Sequence, residues 1–396
     1  MNIGIDYRAA LRPHGTGVSR YVRDLVPALA GLDGCLQLTL FHDEGRGATV
    51  PIGPRLRHLS SRPVFRRNGL RQVWEEVWLP AAIARRCIDV YHGPHAFLPY
   101  ILPSPVAAAV TVHDVIHRAV PDSVSRFFRT RLDAGLRHSI KRADIVVADS
   151  MNTARDLAVY YRVPDNLITV IYPGVASSFP PSSEEDARQY VAGNLGMHAP
   201  FILYVGGLGA RKNVLTLLEA FATLRNVIPG DLHLVLVGAK SGTTELVQFV
   251  ERNRMQEVVH FPGYIADVEL PMLYSAATVF AYPSLYEGFG YPVVEAMACG
   301  APVVCSNSSS LPEVVGTAGH IVSATDIGAW VQALRSVVLA PDDGRPLRSA
   351  SLQQAARFSL ENEARLTHDA YAEAKRRART RSGIADGHAH LNRKMR

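Results

Sequence analysis

Residues 283–300 read Pro-Ser-Leu-Tyr-Glu-Gly-Phe-Gly-Tyr-Pro-Val-Val-Glu-Ala-Met-Ala-Cys-Gly, and this pattern predicts a sharp turn that begins a helix. The glycines let the backbone turn and leave room for a ligand, and Pro292 suits the first helical turn. Free amides and the dipole at a helix start attract an anion, but Glu295 lies about one turn into the helix, so a bound anion would be near a carboxylate. A ligand with both phosphates and hydroxyl groups suits both features, because a carboxylate accepts hydrogen bonds from ribose or sugar hydroxyls. The stretch therefore predicts a nucleotide-sugar as the ligand.

The length and composition are those of an ordinary globular protein. With 396 residues the chain is long enough for two domains, and 47% hydrophobic with 20% charged residues is typical of soluble proteins. The four cysteines have neither metal-ligand nor disulfide spacing, so we interpret them as small buried hydrophobic residues. The chain opens with a strand pattern rather than a cleavable leader, and no apolar run reaches the about 18 residues that cross a bilayer. These features predict a cytoplasmic protein.

The net charge of +6 is concentrated in the first half of the chain. Arginines cluster in residues 55–71 and 118–142. Such patches could contact an anionic membrane surface or a lipid-linked acceptor that carries a pyrophosphate; a solvated basic face is the alternative. Nucleic acid is not expected as a partner, because neither interleaved aromatic residues nor a known binding motif accompanies the charge. The basic tail, residues 380–396, is expected to be disordered.

Short β-rich apolar runs alternate with helical patterns along the whole chain, which is typical of parallel βαβ sheets. We interpret residues 176–198, which lose this rhythm, as a linker. The predicted fold class is therefore α/β, with two Rossmann-like doubly wound parallel-sheet domains, residues 1–175 and 199–357. Ligands of such sheets bind beyond the carboxyl ends of the strands, so we expect the active site in a cleft between the domains. The predicted strands lie near 3–6, 36–41, 89–92, 106–112, 145–148 and 169–172, and then near 201–205, 232–237, 258–261, 279–282, 303–305 and 320–322.

A glycine-rich turn opens the second domain. Residues 203–213, Leu-Tyr-Val-Gly-Gly-Leu-Gly-Ala-Arg-Lys-Asn, predict a strand, a turn that includes Gly207, and then a helix. Arg211 and Lys212 reach the start of that helix, where cations and amide donors together suit a diphosphate. The turn matches neither a Walker A loop nor a complete G-x-G-x-x-G, so solvated cations at a helix start are the alternative interpretation.

A second glycine turn, residues 14–19, follows the first strand pattern and precedes a helix. Gly15 and Gly17 could bring backbone amides close to a phosphate or a sugar. Arg20 stands where a dinucleotide-binding motif has its third glycine, so hydride chemistry is disfavoured.

Histidines at a predicted strand end invite a zinc interpretation, because His113 and His117 nearly match H-E-x-x-H. The match fails on context, since His113 follows a strand and the two rings do not share a helix face. We interpret His113 as a contact for the sugar or acceptor, with a structural histidine as the alternative. His92 and His95 are weaker candidates on the acceptor side. The sequence predicts no metal and no cofactor, only a nucleotide-sugar donor substrate.

Several of these segments together resemble the retaining glycosyltransferases of family 4, which have the GT-B fold of two Rossmann-like domains. The resemblance spans roughly residues 1–375. It rests on the two glutamates with seven residues between them in 287–295, on the turn 205–213, on 15–17 (Gly-Thr-Gly), on 113–114 (His-Asp), on 171–175 (Ile-Tyr-Pro-Gly-Val) and on 308–316 (Ser-Ser-Ser-Leu-Pro-Glu-Val-Val-Gly).

The resemblance implies a role for each part of the site. Arg211 and Lys212 would neutralise the leaving diphosphate, Glu287 would lie against the donor sugar, and Glu295 would bind the ribose hydroxyls. The last helix, about 360–379, would pack back on the first domain. The implied catalytic residues are Glu287, His113, Arg211 and Lys212, and the implied donor-binding residues are Gly15, Gly17, Gly207, Arg211, Lys212, Tyr264 (beside the nucleobase), Gly288, Phe289, Gly290 and Glu295.

On this resemblance we predict a retaining hexosyltransferase of glycan biosynthesis that moves a sugar from a nucleotide-sugar to a saccharide or lipid-linked saccharide. Mannose from GDP-mannose is favoured, because residues 4–8, 74–80 and 92–95 look like bacterial mannosyltransferases of polysaccharide assembly; a UDP-sugar is the alternative donor. The family's basic first domain also implies peripheral contact with the inner face of the plasma membrane.

Other classes of protein fit less well. A phosphorylase of this fold would need a pyridoxal-type lysine and a longer chain, and a glycosidase would have no use for the diphosphate-binding cations. A non-catalytic nucleotide-sugar sensor or scaffold is the alternative from a different class.

Overall fold

The computed structural model describes residues 1–11, 17–32, 34, 36–43, 50–61, 74–121, 124–175, 179–239, 243–340 and 344–381. The chain forms two compact units, one from Met1–Gly174 with the chain from Leu360 onward, the other from Val175–Ser359. Each unit is built on one sheet whose paired strands are all parallel. The prediction of two doubly wound α/β domains is confirmed.

The first unit contains a seven-stranded sheet in the order β3-β2-β1-β4-β5-β6-β7. Its central strands are almost entirely buried, as expected for strands covered on both faces; in β5, for example, every residue is buried. The strands are β1 (Asn2–Asp6), β2 (Gln37–Asp43), β3 (Leu56–Ser61), β4 (Val90–Gly93), β5 (Ala107–Val112), β6 (Ile145–Ala148) and β7 (Ile168–Val170). The helices up to residue 174 are α1 (Gly17–Gly31), α2 (Leu79–Arg85), α3 (Ile116–Ala119), α4 (Arg126–Arg142) and α5 (Met151–Tyr161), with short 3₁₀ segments at Tyr7–Leu11 and Asp165–Leu167 and a π turn at Trp74–Trp78.

The second unit contains a six-stranded sheet in the order β10-β9-β8-β11-β12-β13. The strands are β8 (Phe201–Val205), β9 (His233–Val237), β10 (Val259–Gly263), β11 (Val279–Tyr282), β12 (Val303–Ser306) and β13 (His320–Val322). The helices are α6 (Glu184–Leu195), α7 (Val214–Leu224), α8 (Thr244–Arg252), α9 (Leu270–Ala276), α10 (Tyr291–Ala298), α11 (Leu311–Val315), α12 (Ile327–Val338) and α13 (Arg345–Ala355), and a 3₁₀ turn covers Ala210–Lys212.

The final helix, α14 (Leu360–Arg381), belongs to the first unit. It packs against α1, β4, β5 and β6. Glu363, Thr367 and Tyr371 recur every four residues and are all buried, so they form the inward stripe of an amphipathic helix. Residues 382–396 lie outside the described residues.

The structure differs from the sequence analysis at two places. The segment 176–198, interpreted as a linker, contains α6, which packs on α9 within the second unit. Ser183 caps α6 by accepting a hydrogen bond from the Asp186 amide at 3.1 Å, a signal typical of helix starts. The edge strand β3 was not predicted, because its Leu-Arg-His-Leu-Ser-Ser sequence is mostly polar.

The cysteines only partly follow their interpretation as buried hydrophobic residues. Cys299 and Cys305 are buried, whereas Cys87 is exposed. Cys35 lies outside the described residues. Cys87 has a φ of 51°, so its backbone lies in the left-handed region.

Both sheets reverse their strand order at one place. Successive connections run outward from β1 to β2 and β3, and in the other direction from β4 to β5; β8 and β11 are the corresponding pair in the second unit. Ligands of doubly wound sheets bind beyond the carboxyl ends of the strands at such switch points. Ligands are therefore expected at the loops after β1, β4, β8 and β11.

Candidate active site

The loops after β8 and β11 bring three predicted residues into contact. Lys212 Nζ lies 2.6 Å from Glu287 Oε1, and Arg211 Nη1 lies 3.1 Å from the same oxygen. Arg211 also donates to the Tyr286 carbonyl. Two cations and one carboxylate thus share the switch point of the second unit, with a surplus of positive charge.

Glu287 is held by more than the two cations. Ser284 Oγ donates to Glu287 Oε1 at 2.5 Å, and the Tyr282 hydroxyl donates to it at 3.2 Å. Burial alone would raise the pKa of Glu287, but Lys212 and Arg211 outweigh it and lower the pKa below the usual value. The side chain is therefore a carboxylate at neutral pH.

Backbone contacts fix the two loops to each other. Leu285 N donates to the Arg211 carbonyl at 2.9 Å, and Asn213 Nδ2 donates to the Pro283 carbonyl at 3.2 Å. Asn213 has a φ of 55° at the start of α7, a conformation that asparagine tolerates better than most residues. The amide of Glu287 donates to Ser309 Oγ at 2.7 Å. The polar side chains at 282, 284, 213 and 309 were not singled out from the sequence, because no spacing rule links them to the site.

The predicted turn into a helix is confirmed at 288–292. Gly290 is the N-cap of α10 with a φ of 112°, and Pro292 lies in the first turn of that helix. A Cβ on Gly290 would also lie 2.8 Å from Leu311 Cδ2. Only glycine combines that φ with so little space.

Other predicted donor contacts occupy varied places in the second unit. Gly207 and Tyr264 are exposed and Gly288 is half-buried, whereas the Phe289 ring is buried against Tyr291 and Phe358. Glu295 is buried in α10, where it accepts a hydrogen bond from the Tyr274 hydroxyl at 3.0 Å.

In the first unit, His113 follows β5 and has both ring nitrogens engaged. Nδ1 lies 2.6 Å from Asp149 Oδ2, and Nε2 lies 2.8 Å from the Pro94 carbonyl. Burial opposes the charged ring, but Asp149 and the Pro94 carbonyl raise the pKa of His113 above its usual value. His113 therefore presents no ring nitrogen as a base; any contact with a substrate is through the ring's surface.

Of the remaining candidates in the first unit, the structure describes all but one. Gly17 is the first residue of α1, whereas Gly15 lies outside the described residues. His92 is fully buried between Thr111 and Tyr371, at 2.8 Å from each hydroxyl, which makes it a structural residue rather than an acceptor contact. His95 stands beside Asp6 at the β1–β4 switch point.

The described residues form neither a metal-binding cluster nor a membrane-spanning helix. Within the described ranges, no group of three or more His, Cys, Asp or Glu side chains is arranged to hold a metal ion. Of the helices in the described part of the chain, none has the length and apolarity required to span a bilayer.

Known proteins match both units. The profile of Glycosyltransferase Family 4 matches residues 15–179, and that of Glycosyl transferases group 1 matches residues 189–357. The chain is 31% identical over 375 residues to O-antigen chain mannosyltransferase B of Escherichia coli, covering 90% of this chain and 96% of the relative. The chain belongs to glycosyltransferase family 4.

Solved structures share the fold of this family 4 glycosyltransferase. Sucrose-phosphate synthase from Thermosynechococcus elongatus superposes with a TM-score of 0.74 at 22% identity, over 94% of this chain and 98% of that chain. HepE of Anabaena, in complex with UDP-glucose, superposes with a TM-score of 0.73 at 18% identity, over 94% and 99% of the two chains. These likenesses identify the GT-B fold.

Family membership makes the second-unit cluster the first place to seek the chemistry of sugar transfer. Arg211, Lys212 and Glu287 are the predicted catalytic residues that the structure brings into contact. His113 and Gly17 belong to the first unit of the glycosyltransferase.

Proposed function

We propose that this family 4 glycosyltransferase transfers mannose from GDP-mannose, with retention and without a metal ion, to a saccharide or lipid-linked saccharide acceptor. The observation that carries the proposal is the contact of Arg211 and Lys212 with Glu287 at the β8–β11 switch point. The mannosyl preference is supported by the relative of 31% identity, an O-antigen chain mannosyltransferase.

The cluster suits departure of a diphosphate. As the bond between the anomeric carbon and the phosphate oxygen breaks, negative charge grows on the diphosphate, and fixed cations stabilise that charge. Arg211 and Lys212 supply the stabilising positive charge from a partly desolvated position. A metal ion has this role in other transferases. Glu287 keeps both cations oriented while the site is empty, and lies against the donor sugar when it is filled.

Retention follows if the acceptor hydroxyl attacks the face from which the diphosphate departs. In this scheme the acceptor proton passes to the leaving phosphate, so no side chain must act as a base. His113, whose two ring nitrogens are both bound within the first unit, is therefore not required as a base. We further propose that Glu295 binds the ribose and that Tyr264 borders the base.

A panel of GDP-, UDP- and dTDP-sugars tests the donor by thermal shift, because a ligand that binds the folded state raises Tm. GDP-mannose should give the largest shift, and transfer to manno-oligosaccharides should persist in EDTA with an α-linked product by NMR. A larger Tm shift with a UDP-sugar than with GDP-mannose would show that the donor is a UDP-sugar. HepE, which shares the fold, was solved with UDP-glucose.

The variant Glu287→Gln tests catalysis separately from binding. It keeps the side-chain volume and should lower kcat by about a hundredfold or more, while a folded protein still binds the nucleotide. A variant with unchanged kcat would contradict a catalytic role for Glu287 and favour a non-catalytic sensor.

We also propose that the first unit contacts an anionic membrane at the inner face of the plasma membrane. The supporting feature is the start of α4, where Phe127 is 81% exposed and Phe128 50% exposed among arginines. Aromatic side chains and arginines together suit the headgroup region of a bilayer. The cluster at 55–71 contributes less support, because Arg55 donates to the Ala30 and Leu32 carbonyls and residues 62–71 lie outside the described residues.

A further inference from the structure

Helix α14 begins with a buried carboxyl group that the proposed chemistry leaves unused. Glu363 is 2% exposed, and its Oε2 accepts a hydrogen bond from the Gly174 amide at 2.7 Å. Gly174 ends the first chain segment of the first unit, and Leu360 begins the second segment of that unit. Glu363 therefore fastens the two segments to each other where one ends and the other begins.

The charged groups that act on Glu363 are both acidic. Asp24 on α1 and Asp149 after β6 each disfavour its ionisation, and α14 packs directly on α1 and β6. Tyr21 and Tyr371 are further titratable neighbours, and burial raises the pKa of both hydroxyls, so both stay neutral. An ionised Glu363 would thus be a buried anion that lies beside two other acidic side chains.

The strands beneath α14 contribute two histidines, and in the described part of the chain neither one forms an ion pair with Glu363. His92 on β4 bonds the Tyr371 hydroxyl, and burial lowers the pKa of His92 to about 3, so its ring is neutral. His113 after β5 pairs with Asp149 at 2.6 Å. Any positive charge on His113 is therefore matched by Asp149 and not by Glu363.

Three buried polar atoms of α14 and the loop after β6 lack a hydrogen-bond partner among the described residues: Glu363 Oε1, Thr367 Oγ1 and Asp149 Oδ1. Thr367 follows Glu363 by one helical turn, so the two side chains share the inward face of α14. An ionised carboxyl group can only accept hydrogen bonds, whereas a carboxylic acid also donates one. Because Oε2 accepts from Gly174, the proton of a neutral Glu363 belongs on Oε1. There it supplies a donor to a set that otherwise has an excess of unsatisfied acceptors, which cost free energy when buried.

The surroundings keep this proton on the folded protein. Burial raises the pKa of Glu363 well above its usual value, Asp149 and Asp24 add to the rise, and the hydrogen bond from Gly174 only partly opposes it. In the unfolded chain a glutamate loses its proton near about pH 4.3. Above that pH, up to the raised pKa, the folded protein binds the additional proton, so the contribution of this group to stability falls as the pH rises.

We propose that Glu363 is a positioning residue that works as a neutral carboxylic acid. It fastens the start of α14 to the chain at Gly174, and it keeps the negative charge beside His113 confined to Asp149. Ionisation of Glu363 at alkaline pH places a second buried negative charge near Asp149 and weakens the packing of α14 on α1 and β6. The active form of the transferase is therefore the one with Glu363 protonated. The inference rests on the proposed glycosyl transfer for its activity readout.

The first experiment compares Glu363→Gln with Glu363→Leu, using GDP-mannose and soluble manno-oligosaccharides between pH 6.5 and 9.5. Glutamine keeps an acceptor for the Gly174 amide and a donor in place of the carboxyl proton, but it cannot ionise. At pH 7 its kcat/KM should lie within about twofold of wild type, and at pH 9.5 it should retain at least about a threefold larger share of that activity than wild type does. Leucine removes both hydrogen bonds and should lower kcat/KM about tenfold at pH 7, the equivalent of one hydrogen bond.

Glu361→Gln is the matched control, because Glu361 is an exposed acid in the same first turn of α14. This variant should leave both the activity at pH 7 and the pH profile unchanged. A Glu363→Gln profile that matches wild type over the whole range overturns the inference and leaves the proposed function standing. Wild-type activity of Glu363→Leu at pH 7 overturns it as well, since the carboxyl group would then position nothing.

A second measurement detects the proton itself and needs no substrate. The carbonyl stretch of a carboxylic acid lies at a higher frequency than the stretches of a carboxylate. The infrared difference spectrum of wild type minus Glu363→Gln should therefore show an acid band at pH 7 that disappears at alkaline pH. Absence of the band at pH 7 overturns the inference. If the band is present but no sugar nucleotide binds or reacts, the proposed function fails while the protonated state of Glu363 stands.

Discussion

At the scale of single residues, Lys212 has a double task, because its Nζ lies 2.6 Å from Glu287 and 2.7 Å from the Tyr282 hydroxyl. A diphosphate must compete with that carboxylate for the ammonium group. Lys212→Ala should therefore weaken nucleotide binding by about 10- to 100-fold, the range for a charge-assisted hydrogen bond. Calorimetry with GDP measures the effect. Arg225→Ala, at an exposed position after α7, is the control, and equal affinities of the two variants would contradict the role of Lys212.

His92 should make the first unit sensitive to acid. Burial, with smaller contributions from His113 and His95, lowers the pKa of His92 to about 3. The unfolded chain binds a proton near pH 6.5, so the unfolded state holds more protons between these values. The free energy of unfolding should fall as pH drops below about 6.5, by up to about 5 kcal/mol near pH 3.

Hydrogen exchange of the β4 and β5 amides at pH 7.5, 5.5 and 4.5 measures this acid sensitivity locally. His92→Gln can still bond Thr111 and Tyr371 but does not titrate, so its protection should vary less with pH once the intrinsic exchange rate is removed. Identical pH profiles for the two proteins would show that His92 is not the group responsible.

The residues of the site differ in how far the sequence could reveal them. Arg211, Lys212 and Glu287 each follow an apolar strand pattern, so their meeting at a switch point was predictable once the order of strands was assumed. The pairing of His113 with Asp149 joins residues far apart in sequence, at the ends of β5 and β6. The contact of Asp6 with His95 depends on β1 lying beside β4, which no local pattern encodes.

At the scale of elements, the loops after β8 and β9 are held together so closely that one position admits only glycine. A Cβ on Gly238 would lie 1.9 Å from the Gly206 carbonyl oxygen, whereas a Cβ on Gly207 would meet no atom within 4 Å. Gly238→Ala should therefore cost about 1–3 kcal/mol of stability and weaken nucleotide binding by displacing the loop that carries Arg211. Gly207→Ala should change stability by less than about 0.5 kcal/mol.

Urea unfolding and calorimetry on both glycine variants separate packing from ligand contact. If Gly207→Ala keeps its stability but loses donor affinity, the donor approaches the backbone there, as the family resemblance implies. A Gly238→Ala protein as stable as wild type would show that the two loops are not tightly coupled.

The elements themselves show where sequence patterns succeed. Strands such as β5 and β8 lie buried throughout, and their continuous apolar runs locate them within a few residues. The edge strand β3 has few apolar residues and gives no such signal. Helix α6 has sequence signals typical of a helix, with Ser183 before three acidic residues and Gly196 at its end in a left-handed conformation. The prolines around residue 180 nevertheless favoured the interpretation as a linker.

At the scale of the whole molecule, part of the surplus positive charge lies on helix α4, beside exposed aromatic side chains. Helix α4 has Asp133 as its single acidic residue, and its first turns present Phe127 and Phe128 to solvent. Each arginine near an anionic surface contributes about 1 kcal/mol, and a buried phenylalanine about 1.5–3 kcal/mol. Together these contributions are large enough for reversible binding to a membrane, provided that both kinds of side chain reach it.

Flotation with vesicles tests whether α4 binds an anionic membrane. The protein should bind vesicles of phosphatidylglycerol and phosphatidylcholine at low salt, bind pure phosphatidylcholine far less, and dissociate at high salt because screening weakens the arginine contribution. Phe127→Ser combined with Phe128→Ser should lower the partition coefficient at least tenfold without changing GDP affinity. Val227→Ser, at a half-exposed apolar position of the second unit, should bind vesicles as wild type does. Equal flotation of the double variant and wild type would show that α4 does not face the membrane.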